Sequence, residues 1–170
     1  MPARLASTVA IGLLAGLSCL LTGFVVAAPI WVLFIAWASF FAAGGGLTGA
    51  ARSLVMLILG VASATATMMA IGALGGSTWA VGGCVIIGAG ILVFITRDGL
   101  LSFTPAGFFG FASVVGTLAA TGTAITAPVS LSHPVLLVLG ALLLGTAFGL
   151  ASERLGGLLT TKTALAAAES

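Results

Sequence analysis

The chain has 170 residues, of which 61% are hydrophobic and only 5% charged, with a net charge of +2 and a mean hydropathy of +1.36. Soluble domains carry about 25% charged residues, so this chain lacks the charge to cover a water-facing surface and holds enough apolar length for several bilayer crossings. No basic patch alternates with aromatics, which excludes nucleic acid as a partner; the partner that the composition demands is the lipid bilayer.

In chain order, Arg4 precedes an apolar run from Leu5 to Val26. At 1.5 Å per residue this run is about 33 Å long, so it reads as a first span rather than a cleaved leader. Gly12 and Gly16 form a GxxxG pair that predicts close packing on a neighbour. Pro29 turns the chain, and Ile30 to Ala43 is a short second span entered through Trp31, whose amphipathic ring suits an interface. Gly44, Gly45 and Gly46 break it. Their spacing is not that of a phosphate loop, so they read as a turn that lets helices approach.

A third span is expected from Ser53 to Leu74 and a fourth from Trp79 to Thr96, where Ala80, Cys84 and Gly88 recur at four-residue spacing. Arg97 to Gly122 is the fifth. Pro105 lies inside it, so the helix must kink or break there, or begin there with Thr104 as its cap. An uncharged link from Thr123 to His133 leads to Pro134, which opens a sixth span ending near Ser152. On that span Ala141, Gly145 and Gly149 repeat every four residues, and Glu153 continues the stripe. The expected organisation is a single all-α, six-helix transmembrane domain over residues 1–152 with a short cytoplasmic tail over 153–170.

Six spans place Arg4, Arg52, Arg97, Arg154 and Lys162, all five basic residues, on one side of the membrane. Short cytoplasmic loops retain Lys and Arg, which predicts cytoplasmic termini and puts Trp31, Trp79 and His133 on the outer face.

Two blocks, Trp37-Ala38-Ser39-Phe40-Phe41-Ala42-Ala43-Gly44-Gly45 and Leu100-Leu101-Ser102-Phe103-Thr104-Pro105-Ala106-Gly107-Phe108-Phe109-Gly110, resemble the uncharacterised bacterial family typified by the enterobacterial inner-membrane protein YcdZ. The resemblance implies a small multipass protein of the bacterial cytoplasmic (inner) membrane and no particular chemistry. The tail here is less charged than in that pattern.

No catalytic set is visible, because the one histidine, His133, is expected on the opposite face from Asp98 and Glu153. The chain is therefore read as a non-enzyme. Cys19 and Cys84 lack the spaced partners of a metal site, and neither metal nor cofactor is expected. Every formal charge falls at a span end, which argues against ion coupling; Arg97, Asp98 and Glu153 are candidates for a cytoplasmic mouth. Ser113, Thr117 and Thr121 fall at four-residue intervals, and with Ser102, Thr104, Pro105 and Gly107 they are the candidate pathway residues. The leading expectation is a passive channel or facilitator for a small, weakly polar neutral solute, acting as a homo-oligomer. The alternative is a non-transporting scaffold or modulator of a partner protein. Hydroxyls at such spacing also bond to carbonyls of their own helix or join two helices.

Overall fold

The computed structural model describes residues 2–24 and 29–168, with side chains described for 2–22 and 29–160. The expected end of the first span at Val26 lies outside the described residues, as do the side chain of Lys162 and the last residues of the tail. Six α-helices follow in order: α1 (Ala3–Phe24), α2 (Ile30–Ala42), α3 (Gly46–Ala73), α4 (Thr78–Phe94), α5 (Thr104–Thr121) and α6 (Pro134–Ala168), with one 3-10 turn at Gly99–Leu101 before α5. Four of them, α1, α3, α5 and α6, are long and apolar enough to cross a membrane. The described residues are all-helical, and the four long apolar helices suggest a membrane protein. With 13 and 17 residues, α2 and α4 span about 20 and 26 Å.

Glycine and proline set the breaks. Positive φ angles at Gly44, Gly45 and Gly46 make the α2–α3 turn, and those at Gly75 and Gly76 make the α3–α4 turn, a backbone region that costs glycine little. Ser77 caps α4 by accepting from the Ala80 amide at 3.3 Å. Gly122, in the left-handed region, closes α5 with its amide on the Leu118 carbonyl, as glycine does at helix C-termini.

The structure differs from expectation at three boundaries. α3 begins at Gly46 rather than Ser53, which puts Arg52 in its second turn instead of in a link. α6 does not stop at Ser152 but continues through Ala168. The fifth helix does not start at Arg97 but at Thr104 with Pro105 in its first turn, one of the two arrangements expected, with Phe103 rather than Thr104 as its cap; a missing amide hydrogen costs nothing there. The Leu101 carbonyl takes the Arg97 amide at 3.2 Å.

The core lies where α2, α3, α5 and α6 meet, around Leu33, Met56, Leu57, Val114, Val138 and Leu142. α1 lies against α6, and α4 is peripheral, touching α3 and, less, α5.

Candidate functional site

The hydroxyl stripe of α5 enters the core from its middle turns. Ser113 is fully buried and donates to the Phe109 carbonyl at 2.7 Å. Thr117 is also fully buried, and among the described residues its Oγ1 has no hydrogen-bond partner. Thr121 is exposed and donates to the Thr117 carbonyl at 2.9 Å. The remaining pathway candidates lie at the start of the helix. Ser102 and Pro105 are exposed, and the Ser102 hydroxyl donates to the Gly99 carbonyl at 2.8 Å. Thr104 does not cap α5 but sits in its first turn, its hydroxyl 2.9 Å from that of Thr96. Thr96 already donates to the Leu92 carbonyl, so Thr104 is the donor of this pair, which joins the end of α4 to the start of α5.

Gly107 is buried against α3 and α4: a Cβ there would lie 3.3 Å from the Met56 methyl and 3.4 Å from Leu92. One turn on, a Cβ at Gly110 would collide with the Leu57 carbonyl, and across the contact a Cβ at Gly60 would collide with the Gly107 carbonyl. α3 and α5 therefore meet backbone to backbone, as small residues allow in lipid, where packing rather than water exclusion holds helices together. Ser113, three residues beyond Gly110, is itself fully buried.

The mouth candidates divide. Arg97 and Asp98 are exposed on the α4–α5 connection. Glu153 is committed elsewhere: its Oε2 accepts from the Gly46 amide at 2.8 Å, and Oε1 lies 3.0 Å from where a Cβ on Gly45 would stand. The carboxylate thus caps the amino end of α3, a favourable place for negative charge, and the glycine turn Gly44–Gly46 receives the chain's own anion. Behind it lie two buried polar links. Trp37 Nε1 donates to Ser152 Oγ at 3.1 Å, and the Ser39 and Ser53 hydroxyls pair at 2.6 Å. Each such interhelical bond contributes about 0.6–2 kcal/mol in lipid. The Ser7 Cα and Oγ of α1 lie 3.4–3.5 Å from where a Cβ on Gly156 of α6 would be. These contacts gather Arg4, Arg52 and Arg154 at one end of the bundle, and the packing of Gly107 on Met56 brings the Arg97 connection there too.

The sequence reading missed Trp37, Ser39, Ser53, Gly60 and Gly110 as contact residues. The signal for the first two was an indole and a hydroxyl within an otherwise apolar run; a glycine inside a helix gives no sign of the backbone it will meet. The expected stripe on α6 packs as its spacing implies. A Cβ at Gly145 would collide with the Leu33 carbonyl, and one at Gly149 would lie 2.5 Å from the Phe40 ring. The GxxxG pair on α1 does not: Gly12 and Gly16 have nothing within 4 Å. Cys19 is exposed and Cys84 half-buried.

An apolar groove of about 520 Å³ opens between α3 and α4, lined by Leu59, Ala66 and Ala70 on one side and Cys84, Ile87 and Ile91 on the other. Its two hydroxyls are already used, Ser63 on the Gly88 carbonyl at 2.9 Å and Thr67 on the Ser63 carbonyl at 2.8 Å. None of the pathway candidates of α5 lines it. Among the described residues no three His, Cys, Asp or Glu side chains gather where they could hold a metal.

The model of a family described as a protein of unknown function, DUF1097, matches residues 8–157. The chain belongs to that family. For this DUF1097 member the matched stretch runs from the first turns of α1 to Gly157 of α6, so it takes in the closed α3–α5 contact, the Glu153 cap and the α5 stripe alike. No curated protein and no solved structure matches the chain.

Proposed function

We propose that the protein is a six-span bacterial inner-membrane protein of the YcdZ kind, with both termini cytoplasmic, that works as a non-transporting scaffold or modulator of a partner membrane protein. The observation that carries this reading is the backbone contact of α3 and α5 at Gly60, Gly107 and Gly110. It supports the reading because it sets α3 backbone against the turn of α5 that precedes the fully buried Ser113, where a path along the hydroxyl stripe would run. The topology is supported by the sharing of one bundle end among Arg4, Arg52, Arg97 and Arg154, which the retention of basic residues assigns to the cytoplasm. The short α2 fits because its inner face is covered by α6, so its length need not match the bilayer by itself. Self-association is part of the proposal, supported by Gly12 and Gly16, small residues whose face is open in the protomer. The protein is proposed to be neither an enzyme nor a binder of nucleic acid.

A second reading, a passive facilitator for a small neutral solute, is favoured by Thr117, a fully buried hydroxyl without a partner in the middle of the candidate stripe. Swelling of proteoliposomes in glycerol or urea separates the two. The scaffold reading expects the rate of protein-free vesicles. A faster rate that Thr117→Phe removes would replace it with the facilitator.

A further inference from the structure

We propose that His133 is a pH-operated clasp that holds the α5–α6 link on the end of the bundle opposite the arginines. The ring is nine-tenths buried and uses both nitrogens. Nδ1 accepts from the Val135 amide at 3.3 Å, and Nε2 lies 3.3 Å from the Ile125 carbonyl. Because Nδ1 accepts, the neutral ring carries its hydrogen on Nε2 and donates to Ile125. One side chain thereby caps α6 and fastens the middle of the link, where Ile125 is packed against the core.

Protonation undoes one half of this arrangement by valence alone. The imidazolium has two N–H donors and no acceptor, so Nδ1 then faces the Val135 N–H donor to donor. The new positive charge also stands at the amino end of α6, where the helix dipole disfavours a cation. Nothing in the surrounding elements compensates it. From Gly99 to Ser152, which covers α5, the link and α6 up to Glu153, His133 is the only titratable side chain; from Leu5 to Ala51 there is only Cys19, and from Ser53 to Thr96 only Cys84. Glu153 is twenty residues along α6, about 30 Å away. The charged ring is relieved by turning outward to water, which frees the Ile125 carbonyl and with it the link. Acidification of the compartment that this end faces, once it protonates the ring, therefore opens the clasp.

The test uses the full chain in detergent micelles, with Cys19→Ser and Cys84→Ala and a spin label at Val129→Cys, an exposed link position. The single histidine, labelled with 15N, reports its own protonation and tautomer. The expected result is a neutral ring with the hydrogen on Nε2 at about pH 8, and a several-fold rise in the mobile fraction of the label on going to about pH 5 with the same midpoint as the imidazole titration. His133→Asn should remove the pH dependence. A hydrogen on Nδ1 in the neutral state, a label that does not follow the imidazole, or the same pH response in the variant would overturn the clasp. Should His133→Asn fail to fold, the two titrations on the histidine-containing chain decide the matter by themselves.

Discussion

On α6, Gly145 and Gly149 lie against the Leu33 carbonyl and the Phe40 ring, whereas on α1 Gly12 and Gly16, with the same four-residue spacing, have nothing within 4 Å. The same contrast separates α5 from α4. Gly107 and Gly110 press on neighbouring helices, while on α4 only Gly88 does so, against Thr67 of α3, and Gly82, Gly83 and Gly90 look into open space with Phe94 82% exposed. Small-residue spacing therefore marks a helix that can be approached closely, but the choice of partner depends on what the facing helix offers. In lipid no apolar driving force pulls two helices together, so the stability of this protomer is concentrated where backbones and hydroxyls meet.

The sharpest way to break the comparison is to load the used glycines. Gly110→Leu forces a branched side chain into the Leu57 backbone and should cost more than about 3 kcal/mol, at the upper end for overpacking, leaving little folded protein in a detergent unfolding titration. Gly145→Leu, aimed at the Leu33 carbonyl, and Gly149→Leu, aimed at the fully buried Phe40 side chain, should each cost about 2–3 kcal/mol. Next comes the interior polar link. Ser39→Ala or Ser53→Ala breaks the 2.6 Å hydroxyl pair and should cost about 0.5–1.5 kcal/mol, whereas Thr117→Val, which removes an unpartnered hydroxyl, should be neutral or stabilising by up to about 1 kcal/mol. The smallest effect on the protomer is expected from Gly12→Leu and Gly16→Leu. Each should leave unfolding within about 0.5 kcal/mol of the parent and change only the monomer–oligomer balance in a sedimentation run. A loss at Gly12 as large as that at Gly145 would erase the distinction between the two helices.

Helix order was legible because Pro29, Gly44–Gly46, Gly75–Gly76, Gly122 and Pro134 interrupt apolar runs, and each break stands where a backbone of that kind is needed. What was not legible depends on residues far apart in the chain. α3 starts seven residues earlier than its apolar run suggests because its first amide is capped by Glu153, 107 residues away. The helical state of the tail after Ser152 was not legible either, because a helix needs only backbone bonds and good helix formers, and α6 extends to Ala168. Gly107, a pathway candidate by sequence, also packs on Met56 and Leu92, a contact that its own letter does not announce. Two blocks singled out for their likeness to a known family, around Trp37-Ser39 and Thr104-Gly110, coincide with the places where side chains or backbones join neighbouring helices. The chemistry of α5 was the least legible part, since a hydroxyl that lines a path and one that bonds to its own helix are written with the same letters.

The central claim, a protomer closed beside the α5 stripe, is tested most directly by thiol accessibility. In a Cys19→Ser, Cys84→Ala background, single cysteines at Ser102, Ser113 and Thr117 are treated in intact membranes with a small membrane-impermeant thiol reagent applied from each side in turn. The structure predicts that Ser102→Cys, exposed at the α5 entrance, reacts from one side only, and that Ser113→Cys and Thr117→Cys, fully buried, stay unmodified in folded protein. Modification of both buried positions at rates near that of Ser102→Cys would mean that water reaches the middle of α5, and the closed protomer would be wrong.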